Sequence, residues 1–202
     1  ILGSAYLEAD SKDQRVVFSG DLGAPHTPLL YSPRSPARAD LLVLESTYGD
    51  RLHEGRLARR SKLRAVLEST LENGGATIVP AFSLGRTQEL LYEINAIFED
   101  LATNSGMASR LREVDVIVDS PLASRFTAAY EDCEGFWDDE AKARLRAGDQ
   151  PLVFDNLMTV QDHKQHRWTV DYLQRKAPPS VVIAGSGMCT GGRVVNYLKA
   201  LL

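Results

Sequence analysis

Short apolar runs, each closed by small, hydroxyl-bearing or acidic residues, recur along the chain and predict strands over residues 4–9, 15–18, 41–44, 77–79, 114–118, 152–154 and 181–184. Between the later runs the apolar positions fall at helical spacing, which predicts helices over residues 57–72, 87–101, 124–132, 138–146, 161–175 and 192–201. From residue 41 onward the alternation of strand and helix predicts an α/β fold with a mostly parallel sheet flanked by helices. The first forty residues differ. "SAYLEADSKDQRVVFSG" reads as two short strands around a polar turn, an antiparallel hairpin, and "APHTPLLYSPRSPARAD", with four prolines, reads as an extended connector. No internal repeat or low-complexity segment interrupts this pattern.

The polar residues cluster where the strands end. Val16 to Phe18 lead into Ser19-Gly20-Asp21, Leu41 to Leu44 into Glu45-Ser46-Thr47, Ile78 and Val79 into a loop holding Ser83 and Arg86, Val116 to Val118 into Asp119-Ser120, and Val181 to Ala184 into Gly185-Ser186-Gly187. At any one junction a Ser or Asp is adequately explained as a helix cap or turn residue. Five together point to a ligand site, because loops and helix N-termini with free backbone N–H groups meet at the carboxyl edge of such sheets. Glu45 stands out, since Ser46 or Thr47 would suffice as a cap. The glycines around Asp21 in "FSGDLG" allow a turn that presents its carboxylate as a metal ligand or base, although the motif taken alone reads first as a plain turn Asp.

Composition narrows the class. The 202 residues are 44% hydrophobic with a net charge of -4, enough for one sizeable core or two small ones. No stretch approaches the roughly 20 apolar residues of a membrane span, and there is no secretory signal pattern, so a cytoplasmic protein without membrane association is expected. Cys133 and Cys189 are read as free thiols. The chain begins inside one apolar pattern and stops inside another, and is read as a piece of a longer parent. The net charge argues against a general polyanion-binding surface. Residues 51–64, "RLHEGRLARRSKLR", are the basic exception: RNA contact and an ordinary solvated helix face are given equal weight there. Residues 131–140 are acidic and expected to face away from a polyanion, with Phe136 and Trp137 read as packed core anchors. His163 and His166 are read as a solvated helix face, His26 as exposed, and His53 equally as a structural hydrogen-bonding group or a catalytic one.

"FSGDLG", "LVLESTYGDRLHE", "GGATIVPAFSLGRTQELLYEI", "VIVDSPLA" and "VVIAGSGMCTGGRVVNYL", in that order, resemble the β-CASP branch of the metallo-β-lactamase superfamily, which contains zinc-dependent RNA-processing nucleases. The resemblance covers nearly the whole chain. It implies a partial metallo-β-lactamase core, an N-terminal strip of strands over residues 1–45, followed by a β-CASP domain over residues 46–202 that is incomplete at its end. It implies an RNA phosphodiester hydrolase in the parent, with Asp21 as the carboxylate shared by two zinc ions and Glu45 supporting a histidine that protonates the leaving oxygen. Ser83, Arg86, Ser120, Ser186 and Arg51 are then the candidates for contact with phosphate or sugar, and the β-CASP domain positions single-stranded RNA.

The family's His-x-His-x-Asp-His run and its later histidines are not among these residues. The resemblance therefore implies that the isolated stretch binds no zinc and is inactive. Two alternatives stay open: a non-catalytic partner subunit of an RNA-processing complex, and a doubly wound nucleotide- or sugar-phosphate-binding domain. The second lacks the glycine-rich phosphate motifs it would need. The segment after Glu45 is expected to be the stable unit, and an unpaired edge on the N-terminal strands offers a route to a homodimer.

Overall fold

A computed structural model describes residues 1–104 and 108–202. Strand β1 (Leu7–Ser11) turns through Lys12 and Asp13 into β2 (Gln14–Phe18), the antiparallel hairpin expected, with Leu7 opposite Phe18. Strand β3 (Leu41–Val43) lies parallel to β2, and these three form one small sheet in the order β1-β2-β3. The strand at residue 41 thus belongs with the hairpin, and the alternation read from there begins in space one strand later. Asp40 fixes the junction: its carboxylate accepts the Arg15 N–H at 2.7 Å and its own N–H donates to the Arg15 carbonyl at 2.9 Å.

The remaining elements are α1 (Arg56–Asn73), β4 (Ala76–Pro80), α2 (Arg86–Asn104), α3 (Ala108–Leu111), β5 (Asp115–Asp119), α4 (Pro121–Asp132), α5 (Asp139–Arg146), β6 (Leu157–Thr159), α6 (His163–Lys176), β7 (Ser180–Ala184) and α7 (Gly192–Leu201). The four strands form an all-parallel sheet in the order β4-β7-β5-β6. Successive strand residues point to opposite faces, and here both faces are covered. Val79, Val116, Val118, Val181 and Ile183 pack with Leu67 and Leu71 of α1, Leu91, Ile94 and Ile97 of α2, Tyr130 of α4 and Ala141 of α5. On the other face Ile78, Ile117, Val182 and Ala184 meet Leu173 of α6 and Val194 and Tyr197 of α7. Each fully buried aliphatic side chain contributes roughly 1.5–3 kcal/mol. This two-sided burial holds the strand ends in register.

Besides β1, which starts at Leu7 and not at residue 4, two expected elements shift. The apolar run at residues 152–154 is a turn after Pro151: Leu152 is buried and Phe154 packs edge-on to Phe98, while the strand forms at β6 instead. Asn156 drives the change, its side-chain amide donating to the carbonyls of Leu111 and Val114 and so tying the start of β6 to the end of α3. Helix α4 begins three residues before the expected start, since Ser120 is its N-cap and Pro121 its first residue.

The proline-rich connector is anchored. Leu29, at φ +74, inserts into the larger core and is 1% exposed, its carbonyl accepts the Asp138 N–H at 2.7 Å, and Tyr31 donates to Asp139 at 2.8 Å. Leu30 bridges to Trp137, which is buried, whereas Phe136 is 70% exposed; of the two aromatics read as core anchors only Trp137 is one. Replacing Leu29 with Ala is expected to cost about 2–5 kcal/mol. Thermal denaturation should show a lowered Tm, accompanied by faster proteolysis between residues 22 and 40. An unchanged Tm would mean that the connector merely lies on the surface.

Candidate functional site

Strands β2 and β3 end side by side, and the residues beyond them are cross-linked. Ser19 donates its N–H to the Val43 carbonyl at 2.9 Å, and Glu45 donates its N–H to the Ser19 hydroxyl at 3.0 Å. The Glu45 carboxylate accepts the N–H of Thr47 at 2.8 Å and of Leu22 at 3.3 Å. Those hydrogen bonds, Thr47 first and then Leu22, hold its pKa below the usual carboxylate value, so the group is ionised at neutral pH. Because Leu22 follows Asp21 directly, Glu45 also holds the Asp21 turn. Gly20 needs its φ of +56, and a Cβ there would lie 3.0 Å from the Ala5 carbonyl. Asp21 is exposed, its carbonyl receiving the Ser4 hydroxyl at 3.3 Å.

The larger sheet supplies the second part. The neighbouring strands β4, β7 and β5 run parallel, so their C-terminal loops, carrying Ser83, Ser186 and Ser120, emerge at one edge. The hydroxyls of Ser83 and Ser120 are 2.8 Å apart, and Ser120 caps α4 by accepting the Ala123 N–H at 3.1 Å. Ser186 shapes its own loop, accepting the Cys189 N–H on its carbonyl at 3.1 Å. Gly187 lies against the Phe82 ring, where a Cβ would come within 3.0 Å.

Residues not singled out as site candidates hold this edge in place. Gln88 is fully buried: its Oε1 accepts the Gly85 N–H at 2.8 Å, and its Nε2 donates to the Ser83 carbonyl at 3.2 Å and the Thr127 hydroxyl at 3.0 Å. Phe82 is 60% exposed beside the serine pair. Asp119, which closes β5 and is wholly buried, accepts from His166 Nδ1, the Tyr197 hydroxyl and Arg193 Nη1, each at 2.5 Å. Burial, and then the bond to Asp119, pushes the Tyr197 pKa upward. His166 is 2% exposed, with Nε2 meeting Asn196 at 2.8 Å, so the reading of a solvated helix face holds only for its neighbour His163. The signal lay in Leu173, seven residues on, which puts His166 on the buried side of α6.

The other candidates stand apart. Arg86, at the start of α2, pairs with Glu89 at 2.7 Å and lines a cleft with Arg56, Arg59 and Arg60 of α1. Arg51 is exposed and, among the described residues, pairs only with its neighbour Asp50, at 3.5 Å. His53 is exposed, its ring edge-on to Tyr48 at 4.9 Å. The basic run is not a free cationic strip: Arg56 bonds Glu93 and Glu140 at 2.6 Å, Arg60 approaches Glu93, Arg64 bonds Glu68 and Asp100, and Lys62, on the exposed side, bonds Glu54. Arg56, Arg60 and Arg64 spend charge on α2 and α5, to which periodicity alone gave no clue.

Among the described residues no group of three or more His, Cys, Asp or Glu side chains is disposed to hold a metal ion. These residues therefore do not by themselves fit a pair of zinc ions.

The serine pair separates two roles. Replacing Ser120 with Ala removes the cap of α4 and is expected to cost about 0.5–2 kcal/mol, visible as a lower Tm. Ser83→Ala, which leaves the cap in place, should change Tm less. Equal losses of Tm would show that the pair acts only as structure.

Among curated relatives, the chain is 34% identical over 98% of its length to "Ribonuclease TTHA0252" of Thermus thermophilus, covering 42% of that protein. It is 31% identical over its whole length to "RNase J-like protein" of Methanocaldococcus jannaschii, covering 44%. It is 28% identical over 98% of its length to "Endoribonuclease YSH1" of Candida glabrata, covering 24%. The chain thus spans less than half the length of each of these relatives. Residues 87–202, from α2 to the end, match the Beta-Casp domain model. With its parallel four-stranded sheet between helices, the chain belongs to the β-CASP family of the metallo-β-lactamase superfamily.

Proposed function

We propose that these residues form the RNA-handling part of a zinc-dependent ribonuclease that hydrolyses phosphodiester bonds in single-stranded RNA. The observation that carries this reading is the convergence of the Ser83, Ser120 and Ser186 loops at one edge of a parallel sheet, with Phe82 exposed among them. Such an edge offers hydroxyls and backbone N–H groups to phosphate and sugar, and an aromatic ring to a base. The names of the relatives above, ribonucleases and endoribonucleases, support the same chemistry.

In this reading residues 1–45 belong to the metallo-β-lactamase core and residues 46–202 to the β-CASP domain. Glu45 is ionised and holds the Asp21 turn through Leu22, so that Asp21 presents its carboxylate outward as one zinc ligand. The remaining ligands would come from parts of the parent matching the stretches of the relatives that this chain does not cover. Taken alone, these residues would be inactive. Arg86 and Arg51, both with exposed guanidinium groups, would meet RNA phosphates once drawn from Glu89 and Asp50.

The test is cleavage of 5′-labelled single-stranded RNA by the full-length parent, with and without zinc. Asp21→Ala and Glu45→Ala are each expected to lower the rate on the order of 100-fold or more while circular dichroism shows an intact fold. Wild-type rates from both variants, or no cleavage by a folded, metal-loaded parent, would overturn the reading.

A further inference from the structure

Four of the five cations of α1, all but Arg59, are held by acidic partners, whereas those of α6 are not. Lys164, Arg167, Arg175 and Lys176 are all exposed, and among the described residues none of them forms an ion pair. Between them lies the one exposed tryptophan. Trp168 is 59% exposed although it is the larger of the ring systems on this helix, and it stacks flat on Tyr172, centroids 5.2 Å apart and planes 2° from parallel. Tyr172 is fixed in turn: its hydroxyl donates to Asp115 at 3.0 Å. The indole is therefore braced on a ring that is itself anchored to the sheet, and the rest of its surface stays open to solvent.

Helical spacing sets these groups in a row. Lys164, Trp168 and Tyr172 follow one another at i, i+4, and Arg175 lies three residues beyond, so the row runs along the helix for about 16 Å. Asp171 is the one carboxylate within it. The helix starts at His163, just past the C-terminal end of β6, which is the edge that carries Ser83, Ser120 and Ser186; Lys164 sits at that end and Lys176 at the far one. The row leads away from the proposed site.

We propose that the outward face of α6 is a second contact surface for single-stranded RNA, on which a base stacks against Trp168 while Lys164 and Arg175 meet flanking phosphates. A braced aromatic ring between unpaired cations is the arrangement that binds single strands without reading sequence. The inference rests on the RNA reading above and extends it: strand leaving or approaching the sheet edge is held along α6.

Tryptophan fluorescence tests this directly, because the chain has two tryptophans and Trp137 is buried with its Nε1 bonded to the Tyr130 carbonyl at 3.0 Å. Titration with a short oligoadenylate is expected to quench Trp168 with the same midpoint as the rise in anisotropy of labelled RNA. Trp168→Ala should weaken binding roughly 5- to 100-fold, and Trp168→Phe should restore much of it. Lys164→Ala and Arg175→Ala should each reduce the slope of log affinity against log salt by about 0.7. Binding by anisotropy without quenching, and with Trp168→Ala at wild-type affinity, would overturn the α6 surface while leaving the RNA reading intact. No binding by the folded chain at about 50 mM salt would overturn both. Shielding of Trp168 from acrylamide that grows with protein concentration and vanishes with RNA-independent dissociation would make this face a protein contact, and the proposal would fall.

Discussion

A carboxylate with no solvent contact closes the strand β5, and the arrangement around it follows from the need to compensate that charge. An isolated buried charge costs several kcal/mol, so Asp119 must be met by donors. They come from two helices: His166 from α6, Arg193 and Tyr197 from α7. The same contacts pin both helices across one face of the sheet. They also fix the start of α7 and therefore the Ser186 loop that precedes it, where Val194 donates its N–H to the Gly185 carbonyl at 2.7 Å. Gly192, at φ +74, is required by the same closeness, since a Cβ would come within 2.8 Å of that carbonyl. A buried ion network at a strand end thus sets the backbone of the loop after β7, the strand that lies between those leading to Ser83 and Ser120.

Much of this was legible in the sequence, for a simple reason. The strands of the larger sheet are buried on both faces, so they read as short, continuous apolar runs, and their parallel order forces helices between them. The polar residues gathered at their ends were likewise visible as a set. Less legible was anything that depends on a partner distant in the chain. The run at residues 152–154 is apolar because Leu152 fills the core from a turn, and only Asn156 bonding back to α3 distinguishes that from a strand. His166 looked solvated because its neighbours are polar, while its partner Asp119 lies 47 residues earlier. The basic run of α1 could not be known to be neutralised without knowing that Glu93 and Glu140 lie across from it.

Charge placement organises the surface more than net charge does. Arg56 binds carboxylates from both α2 and α5 and is half-buried, joining three helices at one point; its bond to Glu140 of α5 holds that carboxyl below its ordinary range. On α6, by contrast, Lys164, Arg167, Arg175 and Lys176 form no ion pair among the described residues. The small N-terminal sheet is tied to the larger one by different means: Leu29 is in the core, the Leu2 N–H donates to the Tyr130 hydroxyl at 3.0 Å, and Ile1 lies against Gly85. Residues ahead of β1 therefore touch the loop that leads from Ser83 into α2, which joins the Asp21–Glu45 corner to the serine edge through packed chain.

The central claim is that RNA engages the C-terminal edge of the parallel sheet. Photocrosslinking with single-stranded RNA carrying 4-thiouridine, followed by mass spectrometry of the adducts, addresses it most directly. Adducts in the loops at residues 82–86 and 185–189 are expected. Adducts confined to the opposite edge, around residues 74–76, 113–115 and 178–180, would contradict it.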